Sequence, residues 1–478
     1  MGAMHTEVIV VGAGPTGLML ACELMLAGVS VVVLEKDAVR NVQSRAGSLQ
    51  PRTAEVLDLR GLLEPLLGQA LPRGEHGGHF AGLPVELDCR SWRTRYPRPV
   101  AIPQARLEAF LEQRLIDHGV PVLRGREVTA IGQDAAGVAA GDVSGSYLVA
   151  CDGGHSTVRR LLGAPFPGRA GRMSAVVADV TLASRSAQVP RKFEHFSQHI
   201  KSAAGFFSVL TPIEGELYRF MFGKLAGGGA VREEPVVPAE VSEALQAVYG
   251  PQTELGELRA ASRFSDASRQ LDRYREGRVL FAGDAAHIHL PIGGQGVNLG
   301  VQDAVNLGWK LAAAVRGWAP GGLLDSYHAE RRPAAARVLQ NTRAQAALTN
   351  PTQDEDVAAV RDIFIDLLRL PEANHLISGM VSGLDVQYPG LGPRMLDLDL
   401  VTPAGPTRVS RLLHSGRGLL LSLDGKPRSI VRWADRLDHV AAESAEEAGA
   451  FLIRPDGYLA WSAADPRPLE SALAQWFG

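Results

Sequence analysis

The sequence predicts an α/β fold: a Rossmann-like parallel-sheet domain, interrupted by an inserted β-sheet and followed by a separate C-terminal unit. Three observations carry that expectation. The chain opens with a short β-branched run, Val8–Val11, leading into Gly12-Ala-Gly-Pro-Thr-Gly17. Further on, Leu148-Val-Ala-Cys-Asp-Gly153 reads as a strand ending in Asp-Gly. Deeper still, Arg278-Val-Leu-Phe-Ala-Gly-Asp284 reads as a strand ending in Gly-Asp, and Pro291-Ile-Gly-Gly-Gln-Gly296 then opens a long helical pattern. A carboxylate at a strand's C-terminal end is where an open α/β sheet places its ligand contacts.

In the opening unit, an apolar run of this kind suits a strand buried on both faces. Gly12 permits the tight turn, Gly14 lets the backbone approach a pyrophosphate, and Gly17 lets helix and strand pack closely. Pro15 and Thr16 begin a helix read from Leu18, Leu20, Ala21, Leu24 and Met25 and stopped by Gly28. The free N–H groups of its first turn hold an anion. A second strand, Val29–Leu34, ends in Glu35-Lys36. Glu35 follows the turn by close to the ~20 residues expected of an acid that binds ribose hydroxyls, which favours an unphosphorylated ribose. The competing readings are structural: a ligand-free glycine turn, a turn role for Asp152, and a helix-cap role for Asp284.

The segment Leu71–Pro99, rich in Gly, Pro and Arg, either extends the inserted sheet or lids a pocket. Between Gly168 and Tyr274 the pattern changes to short alternating strands. Ser174–Leu182 is one, and Phe206–Leu210 and Leu217–Phe222 form a hairpin about Pro212-Ile-Glu-Gly-Glu216. Tyr218, Phe220 and Phe222 alternate, so they share one face, which either binds a planar aromatic group or packs as core. After Pro291 a helix is expected over about Val297–Val315. His287 and His289 are read as hydrogen-bonding or packing residues. From Leu391 prolines punctuate the chain; strands at Gly418–Leu423 and Ala450–Ile453 and a helix at Leu469–Phe477 follow.

Composition narrows the class. The 478 residues are 46% apolar and 21% charged with a formal net charge of −3, ordinary for a globular protein of two or three domains. No Lys/Arg-rich tract suggests nucleic acid. The apolar N-terminus is broken by Gly12, Gly14, Pro15, Gly17 and Glu23, so neither a signal peptide nor a membrane span is expected. Gly2-Ala3-Met4 resembles a tag remnant, with Met4 as the natural start. Cys22, Cys89 and Cys151 are widely spaced, so no metal site is expected and a reducing cytoplasm fits. All three lie upstream of the C-terminal unit, which excludes thiol redox chemistry there.

Together these motifs resemble the single-component FAD-dependent aromatic hydroxylases of the para-hydroxybenzoate hydroxylase fold group. Within that group they are most similar to bacterial hydroxylases of angucyclines, anthracyclines and tetracycline precursors. The resemblance continues through Ser44-Arg-Ala46, Pro51-Arg-Thr-Ala-Glu-Val56, Pro103-Gln104, Gln302-Asp-Ala-Val-Asn-Leu-Gly-Trp-Lys310, Asp325-Ser-Tyr-His-Ala-Glu-Arg331 and Ile453-Arg-Pro-Asp-Gly-Tyr458. It implies a GR2-type FAD-binding domain over 4–70, 100–170 and 275–390, a substrate-binding β-sheet domain over 71–99 and 171–274, and a thioredoxin-like domain over 391–478.

For the site, the resemblance implies that Glu35, with Lys36 beside it, meets the adenosine ribose and that Arg45 and Gln104 contact FAD. Asp152 and Gly153 lie near the pyrophosphate, Asp284 binds the ribityl chain, and Gly283 leaves room for the turn. Pro291, Gly294, Gly296, Val297 and Asn298 border the flavin. Glycines there let backbone N–H groups approach a flat ring, and a helix N-terminus stabilises the anion formed on reduction. Candidate substrate contacts are Phe206, Tyr218, Phe220, Phe222, Pro291, Ile292 and Gly293, and no catalytic acid or base is evident.

The implied reaction is hydroxylation of a polycyclic phenol with O₂ through a flavin C4a-hydroperoxide. The reductant is NAD(P)H, NADPH favoured; there is no second GxGxxG, in agreement with the transient binding that the resemblance implies. Baeyer–Villiger oxygenation, oxidative inactivation of an antibiotic, and a catalytically idle flavin-binding partner are the alternatives. The expected assembly is a monomer or homodimer.

Overall fold

Val8–Val11 is apolar throughout because both its faces are covered: all four residues are buried at the centre of a six-stranded sheet. The computed structural model describes residues 4–40, 47–72, 76–225, 234–349 and 355–478. In the sheet, Val8–Val11 lies parallel to Val31–Glu35 on one side and Tyr147–Ala150 on the other. Val122–Arg124 and Val279–Phe281 extend the parallel run, and Arg275–Glu276 adds an antiparallel edge strand. Val11 pairs with Leu34 and with Ala150, and Ala150 with Phe281, so four strands end level at one edge.

Two helices lie together on this sheet, Pro15–Leu26 and Gln295–Val315, the second starting two residues earlier than its periodicity suggests. Small residues let them approach. Gly300 admits the Thr16 side chain and Gly308 the Glu23 side chain, where a Cβ would collide. A small sheet, with strands Met4–His5, Val143–Gly145, Val138–Ala140 and Ile131–Gln133, flanks the parallel one.

The inserted sheet has five strands in the order Ile200–Ala203, Phe206–Glu214, Leu217–Lys224, Ser174–Ser184 and Glu254–Ser265. It springs from a short bridge beside the third strand end, where Ser268–Gln270 pairs with both Gly168–Arg169 and His287–Ile288. The helix Pro238–Tyr249 covers one face of the sheet. Tyr218, Phe220 and Phe222 lie on that face, 2%, 0% and 2% exposed, and Phe206 joins them against Val241, Ala244, Leu245 and Val248. The structure therefore puts this aromatic row in the core, and the substrate-facing role expected of the four residues has to be sought on the opposite face. The sequence carried the missing signal: Pro238, then Val241, Ala244, Leu245 and Val248 at helical spacing.

None of the described residues between Leu71 and Pro99 forms a strand of this sheet. Phe80, Ala81, Leu83 and Leu87 pack instead on Leu348, Leu368 and Val381, which belong to the helices Ser326–Thr349, Glu355–Leu368 and Pro371–Ser382. The C-terminal unit is a mixed sheet of the thioredoxin-like kind, ordered Leu437–Ala441, Gly418–Ser422, Ala450–Ile453, Leu459–Ser462 and closed by Leu469–Phe477. Among the described residues no helix is long and apolar enough to cross a membrane. The cysteines are free and buried, and burial raises the Cys22 and Cys89 thiols to about 12 and about 11, so they do not ionise near neutrality.

Candidate functional site

The level strand ends bring Gly12, Asp152, Gly283 and Glu35 to one edge. Gly12 adopts φ +104°, a conformation costly for any residue with a Cβ, and Gly17 packs so closely on the Gly12 carbonyl that a side chain there has no room. Gly14 caps the helix Pro15–Leu26 and has nothing within 4 Å of where its Cβ would be. Open space therefore stands before the first turn's N–H groups, where an anion binds best. Glu35 accepts from Ala13 N at 2.8 Å and Asp37 N at 2.9 Å, which ties the acid to the glycine turn. Lys36 beside it is exposed.

Asp152 serves two purposes. One oxygen accepts from Val158 N at 3.0 Å, in the first turn of the short helix Thr157–Leu161 whose N-cap is Ser156. The other oxygen is buried and has no partner. Gly153, at φ +80°, has nothing within 4 Å of a Cβ position. A buried acceptor left unpaired costs about 1–3 kcal/mol, so its retention beside empty space fits a ligand donor better than a structural role. Arg159 then ties this turn to the next: it donates to Gly154 O at 2.7 Å and to Ala285 O at 3.0 Å.

Gly283, at φ +59°, lies against Thr16, and Asp284 projects exposed toward the edge. A buried assembly behind sets this turn. Asp303 accepts from Gly283 N at 3.1 Å, contacts His287 Nε2 at 2.7 Å and accepts from Arg331 Nε at 2.7 Å. All three side chains are fully buried. Burial alone would raise the Asp303 pKa, but the charge of Arg331 and then of His287 outweighs it and holds the carboxyl below the usual range. His287 is thus a hydrogen-bonding residue of the turn. His289 bonds to Leu290 O at 2.9 Å, and burial holds its imidazole below the usual range. Asp303, Arg331 and Arg159 were not among the sequence candidates. Only their places in the Gln302–Lys310, Asp325–Arg331 and post-Asp152 stretches hinted at them.

The loop Pro291–Gly294 ends in two left-handed glycines, Gly293 at φ +71° and Gly294 at φ +62°. Asn298 fastens it: its Nδ2 donates to Gly294 O at 2.7 Å and its Oδ1 accepts from Gln50 N at 2.7 Å. Gln50 Nε2 in turn donates to Gly293 O at 2.9 Å. Pro291 is exposed, while Ile292, Gly296 and Val297 keep part of their surface open. Gln295 is 4% exposed with its Nε2 unpartnered. Gln104 starts the helix Gln104–Asp117 and donates to Glu108 at 2.8 Å. Arg45 lies outside the described residues.

The second face of the inserted sheet is the one turned from the helix Pro238–Tyr249. Pairing puts Val177, Met221 and Val209 in one row and Asp179, Arg219 and Thr211 in the next. Phe207 lies on this face across Gly223, whose Cβ would stand 2.5 Å from the ring. Arg219 and Asp179 form a two-pronged ion pair at 2.9 and 3.0 Å. The residues present fit a dinucleotide such as FAD: an open pyrophosphate turn, an acid at the ribose position, an orphaned buried oxygen and a glycine-lined loop at a helix N-terminus.

Comparison with known proteins agrees. Residues 5–342 match the FAD binding domain family, and residues 388–478 match the aromatic-ring hydroxylase C-terminal family. The chain is 45% identical to the 12-dehydrotetracycline 5-monooxygenase/anhydrotetracycline 6-monooxygenase of Streptomyces rimosus, over 99% of both chains. It is 40% identical to a rifampicin monooxygenase of Streptomyces venezuelae, over 99% of this chain and 98% of that one. The solved anhydrotetracycline hydroxylase OxyS of Streptomyces rimosus superposes with a TM-score of 0.89 at 44% identity, over 99% of each chain.

Proposed function

The chain belongs to the FAD-binding-domain family of flavin-dependent monooxygenases, and we propose that it hydroxylates a polycyclic phenol of the aromatic-polyketide kind with NADPH and O₂. The observation that carries this reading is the meeting of Gly12–Gly14, Asp152–Gly153 and Gly283–Asp284 at one sheet edge, beside the N-terminus of Gln295–Val315. In the balanced reaction one oxygen atom enters a ring C–H bond, the other leaves as water, and NADPH supplies two electrons.

FAD, when bound, supplies hydride acceptance and oxygen activation; the protein supplies placement and charge. The free N–H groups of Gly14 and Thr16 would hold the pyrophosphate, Glu35 the adenosine ribose and Asp284 the ribityl hydroxyls. Asp152 Oδ1, which has no partner in the protein, would accept from a hydroxyl of the cofactor. The first turn of Gln295–Val315 has unpaired N–H groups and the positive end of the helix dipole, and would stabilise negative charge on a flavin held before it. Gly293 and Gly294 carry no side chain, so they would leave room for a flat ring and a stacked substrate with water excluded. Val177, Met221, Val209 and Phe207 form an apolar wall for the substrate, which takes over the role first considered for the Tyr218 row.

The test is the spectrum of the purified protein under nitrogen, before and after NADPH, with and without anhydrotetracycline. A flavin spectrum that bleaches faster with the phenol, and product heavier by one oxygen on admitting air, supports the reading. Bleaching and product with rifampicin alone would make the protein an antibiotic-inactivating enzyme, the reading that the rifampicin monooxygenase relative favours. Failure to hold FAD would overturn the assignment of the edge.

A further inference from the structure

One side chain outside every motif is held as if for a ligand. His79 lies in the bridging segment, and its Nδ1 accepts from Gly82 N at 3.2 Å. A ring nitrogen that accepts carries no proton, so the neutral imidazole keeps its hydrogen on Nε2. The ring lies flat on Phe196, centroids 4.1 Å apart and planes 8° apart, which fixes its plane as well as its tautomer. Part of its surface remains open.

Its location follows from its neighbours. A Cβ on Gly82 would collide with Ile200, which pairs with Val209 on the sheet face turned from the helix. On the other side Ala81 N donates to Gln345 Oε1 at 2.9 Å, and Gln345 Nε2 lies 3.4 Å from where a Cβ on Gly293 would be. Gln345 continues through Asn341 to Gln295 in a buried chain of amides, at 2.9 and 3.3 Å. The turn His79–Gly82 thus spans from the Pro291–Gly294 loop to the face of the inserted sheet turned from the helix, and borders the space between them.

We propose that His79 binds the substrate's phenolic oxygen, donating Nε2–H to it and favouring its ionised form. This rests on reading that space as a phenol site. A donor aimed at the charged form lowers the acid's pKa, and a phenolate ring is the more electron-rich partner for oxygen transfer. His79 is not the proton acceptor, because taking a proton on Nδ1 would break its bond to Gly82. Burial first, then the charge of His195, lowers its own pKa to about 3. Beyond His195 stand His76 and Glu86, paired at 3.1 Å.

The experiment compares wild type, His79→Asn and His79→Gln as FAD-loaded full chains with anhydrotetracycline. Asn keeps an acceptor for Gly82 N but has no donor at the Nε2 position; Gln places one there. Expected for His79→Asn are retained FAD, a bound-phenol titration moved up by about one to two pH units, and about tenfold less product per NADPH consumed. His79→Gln should recover most of both. An unchanged titration and coupling in His79→Asn would overturn the proposal. Should that variant not fold, Phe196→Leu, which frees the ring, must raise the bound-phenol titration or the assignment fails. Wild type that neither binds nor oxidises the phenol would instead overturn the functional reading beneath it.

Discussion

The helix Gln295–Val315 runs through two regions that treat buried polarity in opposite ways. At its N-terminal end Gln295 Nε2 is buried without a partner, and so is Asp152 Oδ1 across the site. Three turns further on, Asn306 and Lys310 enter a cluster in which every buried charge is matched. Lys310 meets Glu330 at 2.8 Å, Arg454 grips Glu330 with two bonds of 2.8 Å, Asp456 pairs with Arg454, and Asn306 donates to Glu330 and Asp456. That cluster fastens the C-terminal unit to the back of the helix. Burial lowers the Lys310 pKa to about 8 against the pull of Glu330. The charges of that cluster are paired, while the indole N–H groups of Trp309 and Trp476 beside it, like Gln295 Nε2 and Asp152 Oδ1 at the site, have no partner. What sets the site apart is the unpartnered carboxylate oxygen of Asp152 beside open space at Gly153.

The sharpest way to break this contrast is Glu330→Gln, which leaves Lys310 and Arg454 under-compensated in the interior. It should cost about 3–5 kcal/mol, read as a lower thermal midpoint of the FAD-loaded protein. A loss under about 1 kcal/mol would mean the cluster fastens nothing. Phe220→Ala comes next. As a core residue it should cost about 3–5 kcal/mol while FAD binding and oxidation persist in the folded fraction. Intact stability with lost substrate affinity would return the Tyr218–Phe222 row to the pocket.

At the unsatisfied end the balance should invert. Asp152→Asn should leave the melting point of the FAD-free protein within about 1 kcal/mol of wild type and weaken FAD at least tenfold, about 1.4 kcal/mol. Asp284→Ala should purify largely without yellow colour. Equal FAD titrations for wild type and both variants would remove the cofactor from this edge.

The smallest effect is pH dependence. In both Glu330 and Asp303 burial favours the neutral form, but Arg454 and then Lys310 outweigh it in the first, and Arg331 and then His287 in the second, holding each carboxyl below its usual range. Such groups bind fewer protons folded than unfolded, so their stabilisation is complete above about pH 4.3 and declines as pH falls toward the folded values. Melting points between pH 6 and 3 should fall more steeply for wild type than for Glu330→Gln.

Part of this was legible in the sequence because part of it is local. Gly12, Gly14 and Gly17 specify a backbone shape within six residues, and Glu35 follows at the next strand end. The left-handed conformations of Gly283, Gly293 and Gly294 belong to glycine itself. The Asp303–His287–Arg331 assembly was not legible, since its members come from different elements and meet only when two helices pack. The Tyr218 row shows the limit most clearly. Alternation places three aromatics on one face, but a period of two does not say which face the helix Pro238–Tyr249 will cover.

By itself, then, the sequence determined the turns, the strand ends and the kind of ligand they suit, because backbone conformation and anion binding depend on neighbouring residues. Only the tertiary structure decided which polar groups stay unpaired, which sheet face the helix covers and where His79 stands. Those properties depend on what packs against a residue from far along the chain.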